Sequence, residues 1–110
     1  MSNFTPLKIH RVLKDIGMCP AYTGYDYVTE AIMLHESGNE KMMYVYQTIA
    51  KTHNVTQASV ERAIRHAISA SIPRANITLA RSIFGMRFDK NVHLTCSEYI
   101  RCVVYYLREM

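Results

Sequence analysis

No tryptophan occurs in the 110 residues, and glycine and proline are sparse, at four and three. That scarcity excludes a collagen-like repeat and a flexible linker, both of which need those two residues in bulk. Cysteine is scarce too, and odd in number: Cys19, Cys96 and Cys102. None stands in a Cys-x-x-Cys pair, so a disulfide framework is not expected and reduced thiols in a cytoplasmic setting fit best. Cys96 and Cys102 read as small apolar residues on or near one helix. No apolar run approaches the roughly 18–20 residues that a membrane-crossing helix needs. The opening Met1-Ser2-Asn3-Phe4-Thr5-Pro6 lacks the basic-then-apolar layout of a signal peptide. The expectation is a cytoplasmic protein with no membrane partner.

The signatures of catalysis are also missing. There is no glycine-rich phosphate loop, no nucleophile elbow and no His-Glu-x-x-His. His93-Leu94-Thr95-Cys96 has a ligand-like spacing, but no second pair accompanies it, as zinc would require. Enzyme activity, catalytic residues, a metal and a cofactor are therefore not expected.

What is present is a globular composition: 49% apolar residues and 20% charged. A chain of this size holds one core, so a single domain over residues 1–110 is expected. Acidic residues are rare in its middle. Between residues 41 and 90 there are eight basic residues (Lys41, Lys51, Arg62, Arg65, Arg74, Arg81, Arg87, Lys90) and only Glu61 and Asp89 against them, a net of +6. The flanks carry five basic and seven acidic residues, a net of −2. Such a basic middle suits a polyanion-facing surface, and equally an ordinary solvated one.

The apolar period is helical almost throughout. Ile9, Val12, Leu13 and Ile16 share one face, and Gly17 stops that helix. A second helix is predicted from about Tyr25 to Glu36, ended by Gly38-Asn39, and a third from about Glu40 to His53 with Met43, Tyr46, Ile49 and Ala50 inward. A fourth runs from Gln57 to Ser71, where Pro73 stops it and should push Ile72 into extended geometry. Asn76 can cap a short fifth helix, ended by Gly85. Thr95-x-x-Glu98 is a capping box that opens the last helix. No period-two run of useful length appears. The fold class is all-α, with about six helices.

Residues 47–68 have the spacing of a helix-turn-helix, within a unit of about 41–71. Ala50 is small enough to let another helix cross close above it, and Asn54 tolerates the left-handed turn position. Val55 can plug the angle between the helices, and Thr56 is a good N-cap. Val60, Ala63, Ile64, Ala67 and Ile68 form an inward stripe. The remaining side is polar. In such a motif the second helix enters the major groove of duplex DNA. Arg62, Gln57 and Glu61 have the chemistry to read base edges, with Ser59 beside them. Lys51, Arg65, His66 and the helix start at Thr56 suit phosphates. The plain alternative is an amphipathic surface helix that touches nothing.

Val60-Glu61-Arg62-Ala63-Ile64-Arg65-His66-Ala67-Ile68 resembles the recognition helix of the stage-zero sporulation response regulators. Ile16 to Ala21, Gly24-Tyr25-x-Tyr27 leading into Glu30-Ala31-Ile32, Tyr46-x-x-Ile49-Ala50-Lys51, Phe84-Gly85 and Ser97-Glu98-Tyr99-Ile100 resemble further landmarks of that family. The resemblance implies a six-helix effector domain that binds promoter DNA and regulates transcription. It would put Glu61, Arg62, Arg65 and His66 on the DNA-facing helix, with Arg62 near bases and Arg65 and His66 nearer the backbone. The chain departs from the family at Ala58-Ser59, where Ser-Arg is usual. An arginine–guanine pair carries roughly 1–3 kcal/mol of discrimination, so a different operator is expected. The family also carries an N-terminal phosphoreceiver, whereas this chain begins at the effector, so phosphorylation-driven dimerisation in cis is not expected.

A second function class stays open: a protein-interaction module that modulates a full-length regulator or RNA polymerase. The run Val103-Val104-Tyr105-Tyr106-Leu107 is more apolar than one face can hide, which suits a homodimer. Tyr44, Tyr46, Tyr105 and Tyr106 could stack single-stranded bases, but helical tyrosines more often bury the ring and leave the hydroxyl wet.

Overall fold

The computed structural model describes residues 4–38 and 41–110. Among these residues there are six α-helices and no strand: α1 (Pro6–Asp15), α2 (Thr23–Glu36), α3 (Met42–His53), α4 (Gln57–Ser71), α5 (Ile77–Phe84) and α6 (Cys96–Glu109). A short 3-10 turn, Ile72–Arg74, follows α4. The predicted all-α class is what the chain adopts. Asn39 and Glu40, expected as a helix stop and a helix start, lie outside the described residues.

The local signals explain most boundaries. Thr5, Thr56, Asn76 and Thr95 each cap a helix by accepting a hydrogen bond from the backbone N–H three residues on. Gly17 and Gly85 follow helices with φ of +92° and +106°, conformations that suit glycine. Pro73 does not extend the residue before it. Ile72 is helical, with φ −56° and ψ −48°. Proline sits early in the 3-10 turn, where it has no amide bond to lose, and burial of Ile72 holds the backbone there.

α4 lies against α2, α3 and α6 and forms the centre of the fold, while α5 packs on α6 and α1 on α2. The core joins Ile9, Leu13, Ile32, Ile49, Ile64, Ile100 and Leu107, all essentially without solvent access. One polar link crosses it. Ser71 donates to the Ile68 carbonyl at 2.7 Å and stands 3.4 Å from the Tyr99 hydroxyl. Burial pushes the Tyr99 hydroxyl well above the ordinary tyrosine range, so it stays protonated and can donate to Ser71.

One inward assignment shifts by a position, and one apolar run is better hidden than its sequence suggests. In α3 it is Met42 and Val45 that are buried, with Tyr46, Ile49 and Ala50, whereas Met43 is 52% exposed. The apolar run Met42-Met43 allows either phase, and contact with the rest of the core selects one. In α6, Val103, Val104 and Leu107 are buried and Tyr106 half-buried, leaving Tyr105 64% exposed. The helix therefore hides most of the run that its sequence made look too wide, because α6 is covered by α2, α4 and α5 together.

Candidate nucleic-acid interface

The turn between α3 and α4 is closed by backbone alone. Asn54 adopts φ +54° and ψ +47°, the one left-handed non-glycine among the described residues. The Val55 N–H donates to the Ala50 carbonyl at 3.0 Å, and the Asn54 N–H to that of Lys51 at 3.3 Å. These two bonds make a Schellman closure, which sets the exit direction of the chain. Val55 does not plug the helix crossing: it is 39% exposed. Ala50, whose carbonyl accepts from the Val55 N–H, is buried.

At the start of α4, Thr56 Oγ1 accepts from the Ser59 N–H at 3.0 Å and donates to Ser59 Oγ at 2.8 Å. Both hydroxyls are thereby engaged with each other. No acidic residue stands in this first turn, so the positive end of the helix dipole is left unneutralised by the helix itself.

α4 buries Val60, Ile64, Ala67 and Ile68, and Ala63 partly. Its outer surface carries Arg62, Arg65, His66 and Ser69, all exposed, with Gln57 and Ser59 half-buried. The two flanks differ. On one, Ser59, Arg62 and His66 border a shallow cleft of about 470 Å³ shared with Tyr22 and Gly24. The His66 ring meets the edge of Tyr22 with centroids 5.0 Å apart, which fixes its orientation. On the other flank, Glu61 and Arg65 border a second cleft with Tyr46, Cys96 and Ser97. The Cys96 thiol points at the Glu61 carbonyl oxygen, 3.8 Å away. Burial pushes this thiol's pKa up, although Arg65 pulls in the opposite direction. Half-buried Glu61 thus borders the α6 start, while Arg62 and Arg65 stay exposed. Neither arginine makes an ion pair among the described residues. Lys51 is exposed in the last turn of α3.

Three supports of this arrangement were not legible in the helical period. Gly24 lets α2 touch the α4 backbone: a Cβ there would fall 2.1 Å from the Ala63 carbonyl oxygen. The residue before the turn is anchored as well, with His53 Nε2 2.6 Å from Glu30 Oε2 and its ring edge-on to Tyr27. Tyr22 steadies His66. A glycine inside a helix is the one sequence signal that marked any of them.

Residues 9–107 match the family described as Sporulation initiation factor Spo0A C terminal. The chain belongs to that family. The Spo0A C-terminal match spans α1 to α6, from Ile9 to Leu107, and includes the whole α3–turn–α4 unit. It makes the chain a sporulation transcription-factor domain of DNA-binding type. No described helix is long and apolar enough to cross a membrane.

Proposed function

We propose that this chain is a single helical domain that binds duplex DNA sequence-specifically, using α3 and α4 as a helix-turn-helix, and regulates transcription in the cytoplasm without catalysis. α4 is the recognition helix. Arg62, at the middle of its outer surface, reads a base edge, with Gln57 nearby. Arg65, His66 and Lys51 hold phosphates, and the α4 start at Thr56 and Ser59 faces another. Glu61 reaches cytosine only from the side bordering α6, which makes it the weakest reader of the set.

One observation carries this reading: Arg62 and Arg65 are exposed and unpaired by any described carboxylate, on a helix whose opposite side is locked into the core. A docking module for a regulator or RNA polymerase is the rival reading; of the apolar run of α6, Tyr105 is the exposed residue and Tyr106 is half-buried.

Titration of the 110-residue chain with random duplex at low salt tests the proposal. Binding that weakens with salt is expected, and a flat titration would refute it. Arg65→Ala should weaken binding to every sequence and reduce the salt slope by about one.

A further inference from the structure

A second cationic surface lies away from α4. His35 at the end of α2, Lys41 before α3, and Arg101, Tyr105 and Arg108 along α6 line an open cleft of about 500 Å³. None of the five is acidic, and Lys41, Arg101 and Arg108 form no ion pair among the described residues. Arg101, Tyr105 and Arg108 recur at helical spacing on one outer stripe of α6, and all three are exposed. Like charges gathered this way repel one another, a cost that an anionic partner would relieve.

This cleft adjoins the α4 flank. Tyr46 and Ser97 line the cleft that Arg65 borders, and the Tyr46 hydroxyl lies 3.4 Å from Ser97 Oγ, tying α3 to the start of α6. Ser97 in turn lies one helical turn before Arg101 on the same side of α6. The basic groups therefore run from Arg65, past Tyr46, to Arg101 and on to Lys41 and Arg108. Along α6 alone, Arg101 to Arg108 covers about 10 Å.

We infer that the cleft between α6 and the residues that join α2 to α3, through Lys41, Arg101 and Arg108, binds the sugar-phosphate backbone of the same duplex that α4 engages. The inference rests on the duplex-binding reading. A repeating polyanion suits three separated cations better than a compact anion does, and Arg101 stands one helical turn along α6 from Ser97, which lines the cleft on the α4 flank. The largest dimension of the domain, 36 Å, is close to one turn of B-form duplex, so a backbone leaving the recognition helix has length enough to pass along it. Because backbone contacts carry no sequence information, this surface adds affinity and salt dependence, and leaves base preference to α4.

The test compares the full chain with the triple variant Lys41→Gln, Arg101→Gln, Arg108→Gln on random duplexes, by fluorescence anisotropy over a salt series. Three lost phosphate contacts should flatten the slope of log affinity against log salt by about 2 to 3 and lower affinity roughly tenfold or more at moderate salt. The order of preference among sequences should not change. Circular dichroism establishes that the variant is folded. Ethylation interference on the unsubstituted chain provides a measurement independent of any variant: modified phosphates outside the footprint lost in Arg65→Ala should block binding. An unchanged salt slope together with no additional phosphates would overturn the inference while leaving α4 binding intact. Failure of the unsubstituted chain to bind duplex at all would overturn both. Saturable binding of polyglutamate that the triple variant abolishes, with the duplex slope unaffected, would instead assign the groove to an acidic protein segment and overturn it.

Discussion

Helices α4 and α6 are built on one plan. Each opens on a threonine whose hydroxyl accepts from the amide three residues on, and each buries a stripe rich in isoleucine and valine while carrying arginines outside. They part company at the third helical residue. In α6 it is Glu98, whose carboxylate accepts from the Thr95 N–H at 2.9 Å, completing the capping box. In α4 it is Ser59, and no acidic residue occupies the first turn. One helix neutralises its own positive end, and the other leaves that end available to an anion. A single side chain thus separates a start made for stability from one suited to binding.

The inner faces should behave alike. Ile64→Ala in α4 and Ile100→Ala in α6 each remove a fully buried side chain and should each cost about 3 kcal/mol in denaturant unfolding. A large disparity would break the comparison at its base. The outer faces should differ. Arg62→Ala is expected to cost about 2 kcal/mol of base discrimination, measured as the ratio of affinities for selected and random duplex. Arg108→Ala on α6 should leave that ratio untouched.

The caps sharpen the contrast further. Thr95→Ala should lower stability by about 1 kcal/mol without altering duplex preference. It should reduce sensitivity to acid only in part, because the Thr95 backbone N–H from which the Glu98 carboxylate accepts survives the substitution. That backbone N–H first, and the Thr95 hydroxyl second, hold the Glu98 carboxyl below the usual carboxylate range. A depressed folded pKa stabilises the protein above the unfolded value, and that stabilisation is lost as pH falls through the folded one. Acid unfolding of the variant should therefore show a shallower pH dependence below about pH 5. The smallest effect is the most telling. Ser59→Glu would give α4 the box that α6 has, raising stability by about 0.5 kcal/mol while weakening duplex affinity. A gain in stability with duplex affinity unchanged or raised would show that the open helix start is not used for anions.

Much of this was legible in the residues. The caps at Thr56, Asn76 and Thr95, the turn at Asn54 and the stripe Val60 to Ile68 are local, and chemistry within one or two turns settles them. Misassignments fell where two local answers were nearly equal. Met42 and Met43 are chemically identical, and only contact with the core chose between them. Ile72 was expected to be extended ahead of Pro73, but burial overrode that preference. Val55 looked like a plug because it is apolar, yet its exposure depends on where α3 and α4 cross.

The candidate site shows the same division. That α4 carries Arg62, Arg65 and His66 on its polar side follows from period alone. That Glu61 borders Cys96, that Tyr22 orients His66, and that Arg81 donates to the Phe88 carbonyl at 3.2 Å could not be read from spacing. Each joins residues well apart in sequence or across a loop, whose proximity depends on chain path.

By itself, then, the sequence determined six amphipathic helices, their caps, and a basic helix following a tight turn, because these arise from backbone hydrogen bonding and side-chain period over a few residues. Only the tertiary structure decided which arginines remain free of ion pairs among the described residues, how α2 approaches α4 through Gly24, and that His35 and Lys41 come to share a basic cleft with α6. Those depend on how whole helices pack, and close packing is a property of the assembled core rather than of any one segment.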